Sequence, residues 1–334
     1  MFITTLLASA LGSFTEGLSF QHKDWELACD NTRTCRAAGY SAELGGLSVL
    51  LTREAGAKGT LHAELAIAEV DQRAPAASAD GLITLRINGE VLGIVKERTP
   101  FTQPQTAALV RAIKGTGKVV FEWSKHQEPL SGAGAGAYAI FLKMDEFQGR
   151  LNTSTALTKQ GSLPTTTIPP ALVAPVIHAG AVAADNLSRP LTKPELQSIR
   201  AWLKQHVNED VCPSAYENQE DGQIYPLNQE RALIRLPCWL AAYNDGSAFI
   251  LIDTDLDTSS ATLISTYANG YGEGELSASH KGRGIGDCFS FESWVWDGQT
   301  FVQSEKSTTG SCRMITLGGT WELPTMTSQV VKSQ

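Results

Sequence analysis

The chain carries its clearest structural signal in DWELACDNTRTCRAAGY, residues 24–40. Two short segments, Asp24–Cys29 and Cys35–Tyr40, flank a run of Asp, Asn and Thr. Side chains of these types favour turns because they form hydrogen bonds with the nearby backbone. Opposed residues of an antiparallel strand pair lie within reach of a disulfide. The stretch therefore predicts a β-hairpin that is closed by a Cys29–Cys35 disulfide.

The other four cysteines form two more close-spaced pairs, Cys212/Cys238 and Cys288/Cys312. Six cysteines allow many connectivities, but neighbour pairing is favoured because each pair brackets a stretch that can fold back on itself. No pair has a CxxC or Cys/His spacing, so no metal site is predicted. Buried, reduced cysteines in a cytosolic protein are the alternative. Three disulfides indicate a chain that folds in an oxidising compartment.

Composition limits the class of protein and the partners. A hydrophobic content of 42% and a charged content of 19% are typical of a globular chain. The net charge of −8 repels phosphate backbones and anionic lipid headgroups, so we expect neither nucleic acid nor a membrane surface as a partner. No apolar run reaches the roughly 20 residues that span a bilayer. The length allows two ordinary domains.

The first half of the chain has mainly the pattern of strands. Leu82–Ile87 and Val91–Val95 are apolar runs joined by Asn88-Gly89, a strong hairpin signal because both residues tolerate positive φ. Residues 105–113 carry apolar side chains at helical spacing. Three further elements are predicted: strands at Lys118–Trp123 and Tyr138–Leu142, and a short helix at Ser154–Lys159.

Prolines concentrate between residues 159 and 190, which is typical of a semi-extended linker. Thr192 and Glu195 then form a capping box that predicts a helix over residues 195–207. We expect a mainly β (α+β) fold with two disulfide-clipped antiparallel β domains. The expected parts are a signal remnant (1–20), an N-terminal β-rich domain (21–158), the linker (159–190) and a C-terminal β-rich domain with an opening helix (191–328).

The N-terminus has features of an export signal. Residues 2–11 are apolar and end in the small-residue sequence Ala8-Ser9-Ala10. A basic segment does not precede them, since the first lysine or arginine is Lys23. The cysteines independently favour export, so we interpret residues 1–20 as the remnant of a signal peptide.

Several short motifs resemble cofactor or metal sites, but each lacks a required part. The glycine runs Gly132–Gly136 and Gly282–Gly286 are predicted to lead into strands, whereas a phosphate loop leads into a helix N-terminus. Asp253–Asp257 begins like a calcium loop, but Thr258 and Ile264 replace the required Gly and Glu. HExxH and GxSxG are also absent. We therefore predict no cofactor, no metal and no catalytic residue.

Residues 269–287 are the most suggestive stretch, because glycines there alternate with acidic and basic side chains around one predicted strand. Such polar loops bind proteins or sugars, although a solvated, twisted hairpin explains the same pattern. Glu273 or Glu275 with Asp287 would also supply two carboxylates for acid catalysis. The candidate ligand-binding residues are Tyr271, Glu273, Glu275, His280, Lys281, Arg283 and Asp287.

Tryptophans are concentrated in the second half of the chain. Trp294 and Trp296 share one face if they lie on a strand. Two exposed indoles would form a platform on which a sugar can stack. Packing against the helix at 195–207 is the favoured interpretation, because a tryptophan buries a large apolar area.

Five segments resemble one protein family: residues 24–40, 47–56, 144–150, 237–244 and 286–298. The family is a secreted proteobacterial one that is known only as a domain of unknown function. The first domain is also distantly similar to invasion-associated locus B proteins, through the spacing of Trp25, Cys29 and Cys35. The resemblance implies a periplasmic or secreted protein of a Gram-negative bacterium. It implies no catalytic residues.

Together these features favour a non-enzymatic binding or interaction module of the bacterial envelope. Its expected partner is a protein or a saccharide, and inhibition of a hydrolase such as lysozyme is one variant of this role. The alternative is an envelope hydrolase that acts on cell-wall glycan or peptide with the carboxylates of residues 269–287.

Overall fold

The structure is a computed structural model of the 334-residue chain. Three predictions fall partly outside the residues that it describes: most of the signal remnant, at residues 1–16, the glycines at 132 and 134, and the part of the linker at residues 184–187. The structure describes residues 17–68, 82–123, 130–131, 135–183, 188–217 and 221–332.

The first sheet confirms the predicted hairpin. Cys29 and Cys35 are directly opposed in the register of two neighbouring strands and form a disulfide with a Cα–Cα distance of 3.9 Å. The sheet is an antiparallel meander in chain order. Its strands are β1 (Leu18–His22), β2 (Trp25–Cys29), β3 (Cys35–Tyr40), β4 (Leu47–Arg53) and β5 (Leu61–Ile67).

The second sheet contains the predicted Asn-Gly hairpin. Asn88 and Gly89 have φ of 51° and 86°, as the turn type requires. The strand order is β7-β6-β8-β9. The strands are β6 (Leu82–Ile87), β7 (Glu90–Lys96), β8 (Val119–Trp123) and β9 (Leu130–Ser131), and the helices α1 (Gln103–Lys114) and α2 (Ala137–Phe147) belong to the same half of the chain.

The predicted strand at Tyr138–Leu142 is wrong, because these residues lie in α2. Ala137, Ile140, Phe141 and Met144 recur at helical spacing, and each is at most 2% exposed. Phe141 packs edge-on against Trp25 of β2, with 5.7 Å between the ring centroids. Periodicity in a short apolar run does not separate a buried strand from a buried helix. Packing against the sheet selects the helix.

The predicted helix at Ser154–Lys159 is also wrong, since these residues form turns. The backbone N–H groups of Leu157 and Thr158 donate to the carboxylate of Asp145, at 3.0 and 2.9 Å. These donors are therefore held by a side chain and not by a preceding carbonyl, as a helix would require.

Asp145 is the centre of a buried polar network. It is fully buried and accepts a hydrogen bond from Arg53 Nη1 at 2.8 Å. Arg150, 1% exposed, donates to the carbonyls of Glu54 and Gly56. Burial and the nearby Arg150 lower the pKa of Arg53 to about 10. The segment at residues 144–150 thus anchors the first sheet to the turns that follow α2.

The third sheet begins the second half of the chain and carries the predicted helix, α3 (Lys193–His206). Thr192 and Glu195 form the predicted capping box. Leu196, Ile199 and Leu203 of α3 pack on one face of the sheet, where Cys212 and Cys238 form the second disulfide. In spatial order the strands are β11 (Arg189–Pro190), β12 (Gln223–Pro226), β13 (Arg231–Leu240), β14 (Asp245–Asp253) and β15 (Thr262–Ser265).

The fourth sheet packs on the opposite face of the third. Trp296 and Phe301 meet Phe249 of β14 in this core, with Trp294 packed at its edge. The expected packing of Trp294 and Trp296 against the helix is therefore wrong, because the third sheet lies between them and α3. In spatial order the strands are β16 (Gly270–Gly272), β17 (Glu275–Lys281), β18 (Phe289–Trp296), β19 (Phe301–Thr308) and β20 (Leu323–Met326).

The linker is described at residues 159–183 and 188–190, and its first part packs along the fourth sheet. It contributes β10 (Val176–His178), which pairs in parallel with β21 (Gln329–Val331). Further along, the Gly180 N–H donates to the Trp296 carbonyl at 2.7 Å. Backbone hydrogen bonds therefore hold the linker against the fourth sheet.

The third disulfide, Cys288–Cys312, forms as predicted, and residues 311–313 around its second cysteine are not in a strand. The backbone N–H of Ser311 donates to Glu26 Oε1 of β2 at 2.7 Å. This donor is therefore used in a contact with the first sheet and not in a ladder with β18.

The two halves of the chain meet in a buried interface. The N–H of Ser311 in the second half donates to the hydroxyl of Tyr40 in the first half at 3.0 Å. Burial, followed by the Glu26 carboxylate to which Tyr40 donates, raises the pKa of Tyr40 well above its ordinary value. Arg313 pairs with Asp24 at 3.0 Å. Trp321 Nε1 donates to Ser48 at 2.7 Å, within an apolar cluster formed by both halves.

We predict that Asp145→Ala lowers the free energy of unfolding by about 3–5 kcal/mol, because it leaves a buried guanidinium without its carboxylate. Glu146→Ala is the matched control. Glu146 pairs with Lys143 on the surface, where such a pair contributes less than about 1 kcal/mol. Chemical denaturation of the three proteins measures the difference. Equal stability of the two variants would contradict the assigned role of Asp145.

The division into two domains remains a prediction, which limited proteolysis tests. We expect the first cuts between residues 159 and 190, where Val173 is 85% exposed. No disulfide joins the two halves, yet the buried interface should hold the fragments together in size-exclusion chromatography. First cuts inside 21–158 or 191–328 would contradict the division, and separation of the fragments would contradict the strength of the interface.

Candidate functional site

The predicted binding residues lie at two ends of β17, and the structure does not bring them together. Glu275 begins the strand and Lys281 ends it. At about 3.3 Å per residue these positions are about 20 Å apart. Tyr271, Glu273 and Glu275 therefore occupy one end of the fourth sheet, and His280, Lys281, Arg283 and Asp287 occupy the other.

His280 is a buried residue, with 4% of its surface exposed. Its Nε2 lies 2.9 Å from the carbonyl oxygen of Asp245, which fixes Nε2 as the donor. The ring packs on Tyr267 and Trp239, with centroid distances of 4.0 and 5.3 Å. Next to it, Asn244 exchanges two hydrogen bonds with the backbone of Lys281. His280 thus joins the third and fourth sheets and offers little surface to a ligand.

Arg283 and Asp287 form a two-point ion pair, with Arg283 Nε 2.7 Å from Asp287 Oδ1. The backbone N–H of Met314 also donates to Asp287 at 2.7 Å. The hydrogen bond from Arg283, followed by that from Met314, lowers the pKa of Asp287 below its ordinary value. Asp287 is therefore ionised at neutral pH, and its distance from Glu275 exceeds the spacing of a glycosidase carboxylate pair.

The other end of β17 is a tight turn. Glu273 and Gly274 have φ of 50° and 81°, as in the two-residue hairpin turns that match strand twist. Trp296 holds both this turn and the linker through its backbone: its N–H donates to Gly274, and its carbonyl accepts from Gly180. A Cβ on Gly274 would lie 2.9 Å from Val182 Cγ1, so the linker packs directly against the turn.

A cavity of about 530 Å³, here called the linker cleft, opens between the linker and this turn. Its volume is in the range that suits small ligands. Glu273 and Glu275 are exposed at the cleft, and Lys332 is the one cation among its lining residues. The remaining lining is apolar or backbone. The residues are Ala179–Val182, Gly272–Glu275, Val295, Trp296, Val330 and Lys332.

The sequence identified one wall of the linker cleft and missed the others. Glu273 and Glu275 are among the candidate residues from the sequence. Val182 belongs to the predicted linker, and Val330 and Lys332 follow the predicted C-terminal domain. The apolar residues Val173, Val176 and Ile177 are the signal in the sequence that the linker docks, although Val173 is exposed in the structure. The pairing of β10 with β21 is a contact over about half the chain length, which a local pattern does not encode.

A second cavity, of about 560 Å³, lies beside the start of α2. It is lined in part by His22, Lys23, Lys114 and Lys118, but Lys114 Nζ donates to the carbonyl of Leu157. None of the candidate residues from the sequence lines it. The linker cleft is therefore the stronger candidate.

The described residues offer no assembled metal centre. Asp287, Cys288 and Cys312 lie within 4.8 Å of one another, but the two cysteines are joined in a disulfide and so supply no thiolate. In the described part of the chain, no helix has the length and apolar character to cross a membrane.

The chain is 26% identical to "Uncharacterized protein YpfG" of Escherichia coli (strain K12) over 305 residues, which is 83% of this chain and 84% of the relative. No solved structure matches significantly. These findings do not show the expected likeness to invasion-associated locus B proteins.

A family model described as "Protein of unknown function (DUF1176)" matches residues 19–328, which covers the described core of both halves. The match agrees with the resemblance to a domain of unknown function that the sequence motifs indicate. The chain belongs to the DUF1176 family.

Proposed function

We propose that this protein is a non-enzymatic binding module of the periplasm or the extracellular space, and that its ligand enters the linker cleft. The observation that carries the proposal is a cavity of about 530 Å³ lined by Gly272–Glu275, part of the stretch that contains the candidate binding residues. The three disulfides support a location outside the reducing cytoplasm.

The walls of the cleft are held before any ligand arrives. One wall is fixed by the backbone bonds of Trp296 to Gly180 and Gly274. Another is fixed by the parallel pairing of β10 with β21. A site that is already ordered loses less conformational entropy on binding, which favours a useful affinity from a small contact area.

The charges at the cleft indicate the kind of ligand. Glu273 and Glu275 supply two carboxylates, and Lys332 supplies one ammonium. Carboxylates accept hydrogen bonds from ammonium and hydroxyl groups. A hydrogen bond that involves a charged group is stronger than one between two neutral groups. The proposed ligand is therefore a saccharide or peptide segment of the envelope that carries an amino group.

The geometry argues against a hydrolase that pairs Asp287 with a carboxylate of the cleft. Two carboxylates at a glycosidic bond lie within about 10 Å of each other and include one with a raised pKa. Glu275 and Asp287 are at opposite ends of β17, and the pKa of Asp287 is lowered. Mass spectrometry of peptidoglycan fragments after incubation with the protein tests this point. Unchanged masses argue against hydrolysis, and new cleavage products support a hydrolase.

We predict that the double variant Glu273→Gln/Glu275→Gln binds amine-bearing peptidoglycan fragments at least about tenfold more weakly than the wild type, because it removes the charge that meets the amine. Isothermal titration calorimetry measures the change. Glu90→Gln is the matched control, since Glu90 also borders a tight hairpin turn but lies in the first half of the chain.

The same fragments with their amines acetylated provide a second control. They should bind the wild type weakly and should not distinguish it from the double variant. The proposal fails if the wild type binds none of the fragments, or if the double variant binds as tightly as the wild type. Inhibition of a hydrolase is tested separately. If an excess of the protein leaves the rate of lysozyme unchanged, lysozyme is not its target.

A further inference from the structure

The buried imidazole of His280 leaves one of its two nitrogens without a hydrogen bond. His280 is 4% exposed and lies near the end of β17, where the third and fourth sheets meet. Its Nε2 donates to the backbone carbonyl of Asp245 at 2.9 Å, which fixes the tautomer of the neutral ring. Nδ1 is therefore an acceptor, and it is buried with no hydrogen-bond partner among the described residues.

Two aromatic rings hold His280 in place. Tyr267, from the loop before β16, and Trp239, from β13, have centroids 4.0 and 5.3 Å from that of the imidazole. Trp239 Nε1 donates to the carbonyl of Thr266 at 2.9 Å, and the Tyr267 hydroxyl lies 3.1 Å from Ser290 Oγ. The phenol and the indole are thus fixed by their own hydrogen bonds, and neither group carries a charge near neutral pH.

The charged groups near the ring do not pair with it. Asp245 at the start of β14 accepts through its carbonyl, and in the described part of the chain no carboxylate bonds to either ring nitrogen. Glu292 of β18 lies diagonally from His280 on the same face of the fourth sheet, but its carboxylate pairs with Lys306 at 3.2 Å. Lys281 follows His280 in β17 and therefore points to the opposite face.

Protonation of the ring makes this environment unfavourable. A proton on Nδ1 converts a neutral acceptor into a charged donor, and the new N–H finds no acceptor in the folded contact. A buried charge and a buried donor without a partner both lose the hydration that they have in water. The faces of Tyr267 and Trp239 attract a cation, but this attraction is weaker than the lost hydration. A form in which water reaches Nδ1 therefore takes up the proton more readily.

The contact of His280 holds a defined junction between two strands. Asp245 is the first residue of β14, and His280 and Lys281 are the last two residues of β17. Asn244, next to Asp245, exchanges hydrogen bonds of 2.9 and 2.8 Å with the backbone of Lys281. These two bonds are exposed to water, which competes for them. We therefore expect the buried contact of His280 to decide whether the junction stays closed.

We propose that His280 is a pH-sensitive latch between the third and fourth sheets, which is closed while the ring is neutral and opens when acid protonates Nδ1. Histidine is the side chain whose charge ordinarily changes between about pH 5 and pH 8. Since the open form takes up the proton more readily, acid must raise the population of that form. The latch lies at the end of β17 remote from the linker cleft and does not depend on the ligand proposed there.

The first test compares the wild type with His280→Gln by chemical denaturation at about pH 7.5 and about pH 5, the range over which exposed histidines titrate. Glutamine keeps an N–H donor for the carbonyl of Asp245 and takes up no proton. We expect acid to raise the unfolding constant of the wild type at least about fivefold more than that of His280→Gln. His206→Gln is the matched control and should respond like the wild type, because His206 also bonds to a backbone carbonyl but is exposed.

The second test follows the imidazole rings of the folded wild type by NMR over the same range of pH. We expect His280 to keep its proton on Nε2 alone while the exposed ring of His206 becomes charged. His280 should become charged only together with new signals from an open junction. The proposal is overturned if His280 takes up its proton in the closed form over the same pH range as His206. It is also overturned if acid destabilises His280→Gln as much as the wild type.

Discussion

Burial of both faces of the first sheet is the constraint on which the rest of the structure depends. One face packs against the helices, with Trp25 and Phe141 in the same core. The other face, which carries Ala38 and Tyr40, is covered by Trp321 and Leu323 from the end of the chain. A sheet that is apolar on both faces exposes one of them if the C-terminal segment is removed. The two halves of the chain therefore share this apolar cluster, and the first sheet depends on residues of the second half for its burial.

This contact also shapes the loop between β19 and β20. Gly310, at φ of 88°, allows the chain to approach Tyr40 so closely that a Cβ would lie 2.2 Å from the phenol oxygen. The next residue, Ser311, donates to Glu26, and the disulfide at Cys312 then ties the loop to β18. The first sheet thus fixes the position of the loop that carries Met314 and Leu317.

The backbone of Trp296 has a comparable role at the other end of β17. Its indole is buried between the third and fourth sheets, while its N–H and carbonyl hold Gly274 and Gly180. The linker cleft therefore exists because a core residue fixes two surface segments.

The sequence by itself determined the features that depend on local chemistry. These are the Asn-Gly hairpin, the capping box at Thr192, the mainly antiparallel β fold and the neighbour pairing of the cysteines. Turn residues and helix caps act over a few positions, and the paired cysteines are at most 26 positions apart, so these signals can be recognised in a single sequence. Of the candidate site, the sequence identified Glu273 and Glu275, because a loop that is rich in glycine and charged residues can be recognised from its composition.

Only the tertiary structure decided where these pieces meet. Residues 138–142 became helical because α2 packs against β2, and Ser154–Lys159 lost its helix because Asp145 captured its N–H donors. The candidate residues of one strand were separated because β17 is extended, and the walls of the cleft came together because β10 pairs with β21. Each outcome depends on burial and hydrogen bonding between distant segments, which no local pattern of residues records.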